Sequence, residues 1–362
     1  MRIDIACFTG DSGLTDYAVS LARSLQGQAK VRLLTASSLN PLFATLGFDI
    51  EYVFRRSRHY PIDIFKFIFA ILQQRPDWVV FQGPLKIPLL DSLLVRLLRL
   101  LGIKCAVTIH DVLPHYPKPW SRLEFGFYYR SFDKAIVHSL ASAAAIKDMG
   151  VGFSTLVVPH GIYDIFNLSN LTQSSARDYF PQIKKSSTVV LFFGNLESRK
   201  GLWEILNTAY TLQNNDEFFF VIAGAPHLGS SGEQAVERLE KAKSYSNCLI
   251  VDRRIDFQDV EKYFSAADII ALPYLEGTTS GVLKLALAFG KPVVATNVGD
   301  FPEQVPDGAG IFIEPDRLNS DLPKALMSIR ENLTGFVAAM RTGGANVQWH
   351  DIATKTYNFL ES

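Results

Sequence analysis

Leu272-Pro-Tyr-Leu-Glu-Gly-Thr-Thr-Ser-Gly-Val-Leu-Lys-Leu-Ala-Leu-Ala-Phe-Gly-Lys-Pro-Val-Val-Ala-Thr-Asn-Val-Gly-Asp-Phe-Pro-Glu303 decides how the chain is read. Residues 269–272 enter it as a short apolar run of strand type, and residues 293–295 leave it as another. Between them Thr278, Thr279, Ser280 and Gly281 precede an apolar helical run over 282–288, the composition of a helix start. Strand, helix and strand, broken at Gly290-Lys291-Pro292, make one βαβ unit with parallel strands. The Thr-Thr-Ser-Gly string is expected to cap the helix and leave backbone N–H groups free. Those groups and the helix dipole suit a diphosphate. An ordinary N-cap accounts for the same string taken alone.

The alternation continues in both directions. Strand patterns recur at 189–193, 218–223, 249–252 and 311–313, separated by helical spacing at 202–212, 234–243 and 258–266. The first half has its own series, with strands near 3–8, 31–35, 78–82, 105–110, 135–138 and 156–158. Helical patterns at 14–25, 62–72, 85–101, 120–129 and 139–149 separate these. Between 165 and 187 the composition shifts to Asn, Ser, Thr and Lys, with one short helical patch. The expected organisation is a first domain over 1–165, a linker over 166–187, a second domain over 188–345 and a closing helical segment over 346–362. Two doubly wound sheets facing one another would put a cleft at the carboxyl ends of their strands, where open α/β folds bind ligands.

Bulk composition agrees with two cores: the chain has 362 residues, of which 48% are hydrophobic. Its 36 Lys and Arg equal its 36 Asp and Glu, so no overall field argues for nucleic acid. The balance is uneven, since residues 1–165 hold 18 basic and 13 acidic side chains. The first half is the better candidate for an anionic surface. Cys7, Cys105 and Cys248 each lie in or beside an apolar strand pattern without metal-ligand spacing, which reads as reduced thiols in a cytoplasmic protein. The opening Met1-Arg2-Ile3-Asp4-Ile5 runs straight into a strand with charges inside it, unlike a signal peptide. Lys86, Pro88, Asp91, Arg96 and Arg99 interrupt the apolar stretch at 85–101, so it is not expected to span a membrane.

The quoted segment resembles the donor-site signature of family 4 glycosyltransferases. Further matching pieces are Gly10-Asp11-Ser12-Gly13, Thr108-Ile109-His110-Asp111, Pro159-His160-Gly161, Phe193-Gly194 followed by Lys200-Gly201, and Ala223-Gly224. The resemblance covers nearly the whole chain and implies the α/β GT-B fold: two doubly wound Rossmann-like domains facing across a cleft, the last helix packing back on the first. It implies transfer of a sugar, with retention, from a UDP- or GDP-sugar donor to a glycan or lipid-linked acceptor. Lys200, assisted by Arg199, would neutralise the leaving diphosphate, which Gly13, Asn195, Thr278, Thr279, Ser280 and Gly281 would surround. His110 would touch the transferred sugar and Glu276 would lie near it. Ser12, Asp111, Arg56 and Arg58 fall on the acceptor side. No acidic pair or His/Asp cluster suggests a metal, and no cofactor beyond the donor is expected.

Two departures from the family stand out. An Arg usually follows the glycine where this chain has Asn195, and the two family glutamates fall on Gly277 and Leu285. They keep open a non-catalytic partner subunit on the same fold, with a nucleotide-sugar epimerase a more distant alternative. A dehydrogenase is poorly supported because the first turn lacks Gly-x-Gly-x-x-Gly. Arg55-Arg56-Ser57-Arg58-His59-Tyr60, followed by Ile64, Phe65, Phe67, Ile68 and Phe69, reads in two ways. It is either a surface resting on anionic lipid at the inner face of the plasma membrane, or a core helix beside a solvated charge cluster.

Overall fold

The computed structural model describes residues 1–55, 57–114, 117–228, 232–277, 280–345 and 347–362. The chain forms two compact units, one of Met1–Gly161 with Val347–Ser362 and one of Ile162–Asn346.

In the first unit, seven parallel strands stand in the order β3-β2-β1-β4-β5-β6-β7. They are β1 (Arg2–Ala6), β2 (Lys30–Ala36), β3 (Asp49–Phe54), β4 (Trp78–Gln82), β5 (Lys104–Ile109), β6 (Lys134–Val137) and β7 (Ser154–Val157). The helices are α1 (Gly13–Leu25), α2 (Tyr60–Gln74), α3 (Pro88–Leu100), α4 (Ser121–Tyr129), α5 (Leu140–Asp148) and the terminal helix (Trp349–Glu361). Every residue of β4 is buried, as expected of a central strand covered on both faces. Phe67 and Ile71 of α2, Val95 and Leu98 of α3 and Tyr128 of α4 enter one core with Phe81 and Val107 of the sheet, so these helices form one layer on one face. The terminal helix lies against α1, where Trp349 meets Tyr17 edge-on at 4.9 Å between ring centroids and Gln28 donates to Thr354 at 2.9 Å. Only glycine fits at 161, because a Cβ there would sit 2.4 Å from the Trp349 ring.

In the second unit, six parallel strands are ordered β10-β9-β8-β11-β12-β13. They are β8 (Thr188–Phe193), β9 (Phe218–Ala223), β10 (Cys248–Val251), β11 (Ile269–Leu272), β12 (Val293–Thr296) and β13 (Gly310–Ile313). Helices α6 (Gln173–Arg177), α7 (Leu202–Thr211), α8 (Gly232–Ala242), α9 (Val260–Ala266), α10 (Gly281–Ala288), α11 (Phe301–Gln304), α12 (Leu318–Glu331) and α13 (Leu333–Ala345) flank the sheet. Strand order reverses between β8 and β11, and the crevice at such a reversal is where this architecture takes a ligand.

Three features differ from the sequence reading. Segment 166–187, expected as a linker, is built into the second unit. The Glu261 carboxylate accepts from the backbone N–H groups of Leu168, Ser169 and Leu171, and Arg177 pairs with Asp268 at 2.5 Å. Strand β3 escaped the pattern because it is an edge strand whose charged residues leave no long apolar run. Helices α12 and α13 escaped it too. Pro323 lies inside α12 and would ordinarily stop it, yet buried Leu322, Leu326 and Ile329 hold the helix against the core.

Candidate functional site

The carboxyl ends of β8 and β11 assemble the principal site. After β8 the chain turns at Gly194 (φ +100°), continues through Asn195 and reaches a 3-10 turn over Ser198–Lys200. Gly201 (φ +75°) then starts α7. The backbone packs so closely that two positions exclude any Cβ. One at Gly224 would fall 1.6 Å from the carbonyl oxygen of Gly194, and one at Gly201 would fall 1.9 Å from that of Pro273. A Cβ on Gly194 would stand 3.4 Å from Nζ of Lys200 and 3.6 Å from Cγ2 of Val282, in the first turn of α10. The Lys200 ammonium and the start of α10 therefore flank one point of bare backbone.

Glu197 anchors the two cations, accepting from Arg199 at 2.8 Å and lying 3.8 Å from Nζ of Lys200. The carbonyl of Arg199 accepts the N–H of Leu275 at 2.8 Å, tying the loop after β8 to the loop after β11. Tyr274 joins these parts: its ring lies 5.6 Å from Nζ of Lys200, and its hydroxyl is 3.1 Å from Oγ of Ser280. Its carbonyl accepts from Thr296 at 2.5 Å, and its ring packs on Phe301.

Ser280 is the N-cap of α10, but its side chain makes no capping bond. This corrects the expected capping role: the hydroxyl turns to Tyr274 and leaves the first-turn N–H groups unsatisfied by that side chain. The first turn of α10 holds no acid. Lys284, deeply buried on the same helix, has its ammonium pushed down to about 8 by burial, against a smaller opposing pull from Asp300. A helix start, a fixed lysine and a glycine-lined approach make a place for an anion. Gly281 lies against the Tyr163 ring, while Asn195 and Glu276 are exposed. Leu285 is buried, and as a leucine it puts no carboxylate at the second family position. Thr278, Thr279 and Arg56 lie outside the described residues.

The first unit has a different edge. His110 follows β5, His138 follows β6 and His160 lies just beyond β7. Their rings gather around Tyr17 of α1, with centroids 4.6, 5.2 and 5.0 Å from its own. Nε2 of His110 is 3.2 Å from Oε1 of Gln82, a contact that orients the ring. Burial holds His110 well below the ordinary imidazole range, and neighbouring His138 adds to the shift. Gly10 approaches the backbone after β2 so closely that a Cβ would be 2.5 Å from the nitrogen of Leu39. Ser12 precedes Gly13 at the start of α1, its hydroxyl 2.6 Å from that of Thr9. Asp111 accepts the Tyr129 hydroxyl through its carbonyl at 3.3 Å, and Arg58 is exposed in a 3-10 turn before α2.

Sequence reasoning brought Lys200, Arg199, Ser280 and Gly281 to one edge of the second unit, and placed His110, Ser12, Gly13 and Asp111 in the first. It missed Glu197, Tyr274 and Lys284. Glu197 stands three residues before Lys200 and Tyr274 six before Ser280, and the folded turns make them partners. Among the described residues no group of three or more His, Cys, Asp or Glu side chains is arranged to hold a metal ion.

Residues 12–164 match the family described as Glycosyltransferase Family 4, and residues 187–332 match Glycosyl transferases group 1. Similar solved structures include HepE from Anabaena in complex with UDP, at TM-score 0.76 and 16% identity, covering 100% of both chains. Sucrose-phosphate synthase from Thermosynechococcus elongatus matches at TM-score 0.75 and 16% identity, covering 100% of this chain and 98% of that one. The fold is thus that of the GT-B glycosyltransferases. With both halves matched by glycosyltransferase families, the chain belongs to the family 4-like group. Among curated relatives, D-inositol 3-phosphate glycosyltransferase of Corynebacterium efficiens is 32% identical over 139 residues, 35% of this chain and 31% of the relative. An uncharacterized 41.2 kDa protein in the cps region of Klebsiella pneumoniae is 25% identical over 127 residues, 35% of this chain and 32% of the relative. The matched segments thus span about a third of these relatives' lengths.

Proposed function

We propose that the chain is a glycosyltransferase that moves a sugar from a nucleoside-diphosphate sugar to a glycan or lipid-linked acceptor, with retention of anomeric configuration. The observation that carries this reading is the meeting of the Lys200 ammonium and the start of α10 at bare Gly194, at the strand-order reversal of the second unit. A diphosphate there would accept from first-turn N–H groups of α10 and face the ammonium, with Arg199 beside it. Glycosidic bond cleavage places new negative charge on that diphosphate. Fixed donors aimed at it stabilise the departing group more than the intact donor, which lowers the barrier. His110 fits the role of a neutral contact to the transferred sugar, because its ring is held uncharged and oriented by Gln82. Glu276 is assigned to the donor-sugar side and Ser12, Asp111 and Arg58 to the acceptor side, following the family pattern.

That HepE was solved with UDP, and in another structure with UDP-glucose, favours a uridine donor as the first to try. The test is calorimetric titration of the protein with UDP and with GDP, beside Lys200→Ala and Ser280→Ala. Binding of one nucleotide, weakened in both variants, supports the donor site and selects the donor class. Failure of both nucleotides to bind would overturn it. Asn195 and buried Leu285 would then favour a non-catalytic member of the same fold.

A further inference from the structure

The first unit has an outer surface that the donor site does not use. The inner sides of α2, α3 and α4 fill one core, so their exposed residues share the outer side of one helix layer. That side is strongly apolar. Ile62, Phe65 and Phe69 of α2 are 58–73% exposed, and Leu93 of α3 and Leu123 of α4 are exposed to a similar degree. Leu100, at the end of α3, is 85% exposed. A scatter of single exposed leucines is ordinary, but a layer of three adjacent helices turning large apolar side chains outward marks a contact surface.

Charge identifies the partner. The acids of α2 and α3 are withdrawn from this surface. Asp63 is buried and binds the backbone N–H and guanidinium of Arg55. Asp91 is buried and bonds to the Tyr60 hydroxyl and the backbone N–H of Lys86, its carboxyl raised to about 6 by burial. On α4, Glu124 is half-buried. The exposed charges left on the three helices are all basic: Lys66, Arg96, Arg99 and Arg122. Arg99 pairs with Asp133 at 2.6 Å, and Arg96 stacks on Phe127 with its stem along the apolar surface. Lys86 and Lys118 are exposed in the flanking turns. Exposed aromatic and leucine side chains among cations match a bilayer interface, where the rings enter the headgroup boundary and the cations meet lipid phosphates. A second copy docking the same face to itself would oppose like charges across the contact. No helix of the described residues is long and apolar enough to cross a membrane, so this contact lies along the surface.

We infer that the outer face of α2, α3 and α4 rests on an anionic lipid bilayer. Both sequence readings of the α2 segment then hold at once: Phe67 and Ile71 face the core, and Phe65 and Phe69 face the lipid. This surface is independent of the donor reading, so the two can fail separately.

The experiment is flotation of the whole protein with phosphatidylcholine vesicles and with vesicles in which about a third of the lipid is phosphatidylglycerol. The expected result is capture by the anionic vesicles, weakening with salt, and little capture by the neutral ones. Phe65→Ser with Phe69→Ser should weaken capture by about tenfold or more, through lost apolar insertion. Lys66→Glu should weaken it about fivefold or more, through lost phosphate attraction. Leu93→Ser with Leu100→Ser separates α3 from α2, and all these side chains are exposed enough to replace without touching the core. Nucleotide titration and far-ultraviolet circular dichroism of each variant monitor the donor site and the fold. Absence of capture by anionic vesicles, or capture unchanged in all variants, overturns the inference. Vesicle-free self-association that the same substitutions abolish assigns the face to a second copy and also overturns it.

Discussion

The two sheets share a strand order about their reversal point, yet their carboxyl edges are built from opposite materials. In the second unit the edge is backbone and charge: Gly201 and Gly224 let backbone pack on backbone, and Gly194 faces Lys200, which with Arg199 is held by Glu197. In the first unit it is ring against ring: His110, His138 and His160 around buried Tyr17, with Trp349 closing one side. One topology thus presents an edge of cations and bare backbone and, separately, an edge of imidazole and aromatic rings on which burial disfavours the His110 cation. Fold alone does not decide the chemistry; the few residues after each strand do.

If the second edge depends on bare backbone, the largest expected effect comes from the smallest added group. Gly224→Ala would place a methyl at bonding distance from the Gly194 carbonyl, at a φ of +156°. The loops must separate, and we expect a loss of about 3 kcal/mol or more in denaturant unfolding, together with loss of nucleotide binding. Gly152→Ala in the first unit, where a Cβ meets nothing within 4 Å, should change stability far less. Equal effects of the two would break the comparison. Next in size is Lys200→Ala, expected to weaken nucleotide binding by about 10- to 100-fold, as removal of a charged hydrogen-bond partner does, with little change in unfolding. His110→Ala should leave the binding of bare UDP nearly unchanged, since its edge is assigned to the sugar. Equal weakening of UDP by both variants would show that the two edges do not divide the donor in this way.

The difference between the edges also explains what could be read from the sequence. The βαβ alternation was legible because central strands covered on both faces are continuous apolar runs, as in Phe218–Ala223, where every residue is buried. Edge strand Asp49–Phe54 and the proline-containing helix Leu318–Glu331 were not, since tertiary contacts rather than local pattern hold them. In the second unit Lys200 and Ser280 stood out because glycine and hydroxyl residues before a helix have a local meaning. Tyr274 did not, because a tyrosine after a strand carries no signal until the turn brings it to both. In the first unit each histidine was visible at a strand end. Their gathering around Tyr17 requires strand order, which no single segment encodes.

The smallest expected effect tests whether the first edge is held neutral. His110 has a folded-state pKa well below the 6.5 of a free imidazole, because burial, and then His138, disfavour its cation. The unfolded chain therefore binds a proton as pH falls through 6.5, while the folded chain does not. Stability from this residue is full above that pH and is lost below it, until the folded ring also protonates. The slope is at most about 1.4 kcal/mol per pH unit for one histidine. Urea unfolding of the wild type and of His110→Asn between pH 7.5 and 5 (about one decade either side of the free imidazole value) isolates it. The wild type should lose stability faster on the acid side, and the variant should be flatter by a fraction of that slope. Parallel curves would mean that the imidazole titrates as it does in the unfolded chain. The first edge would then be open to charge, and its contrast with the lysine edge of the second unit would lose its physical basis.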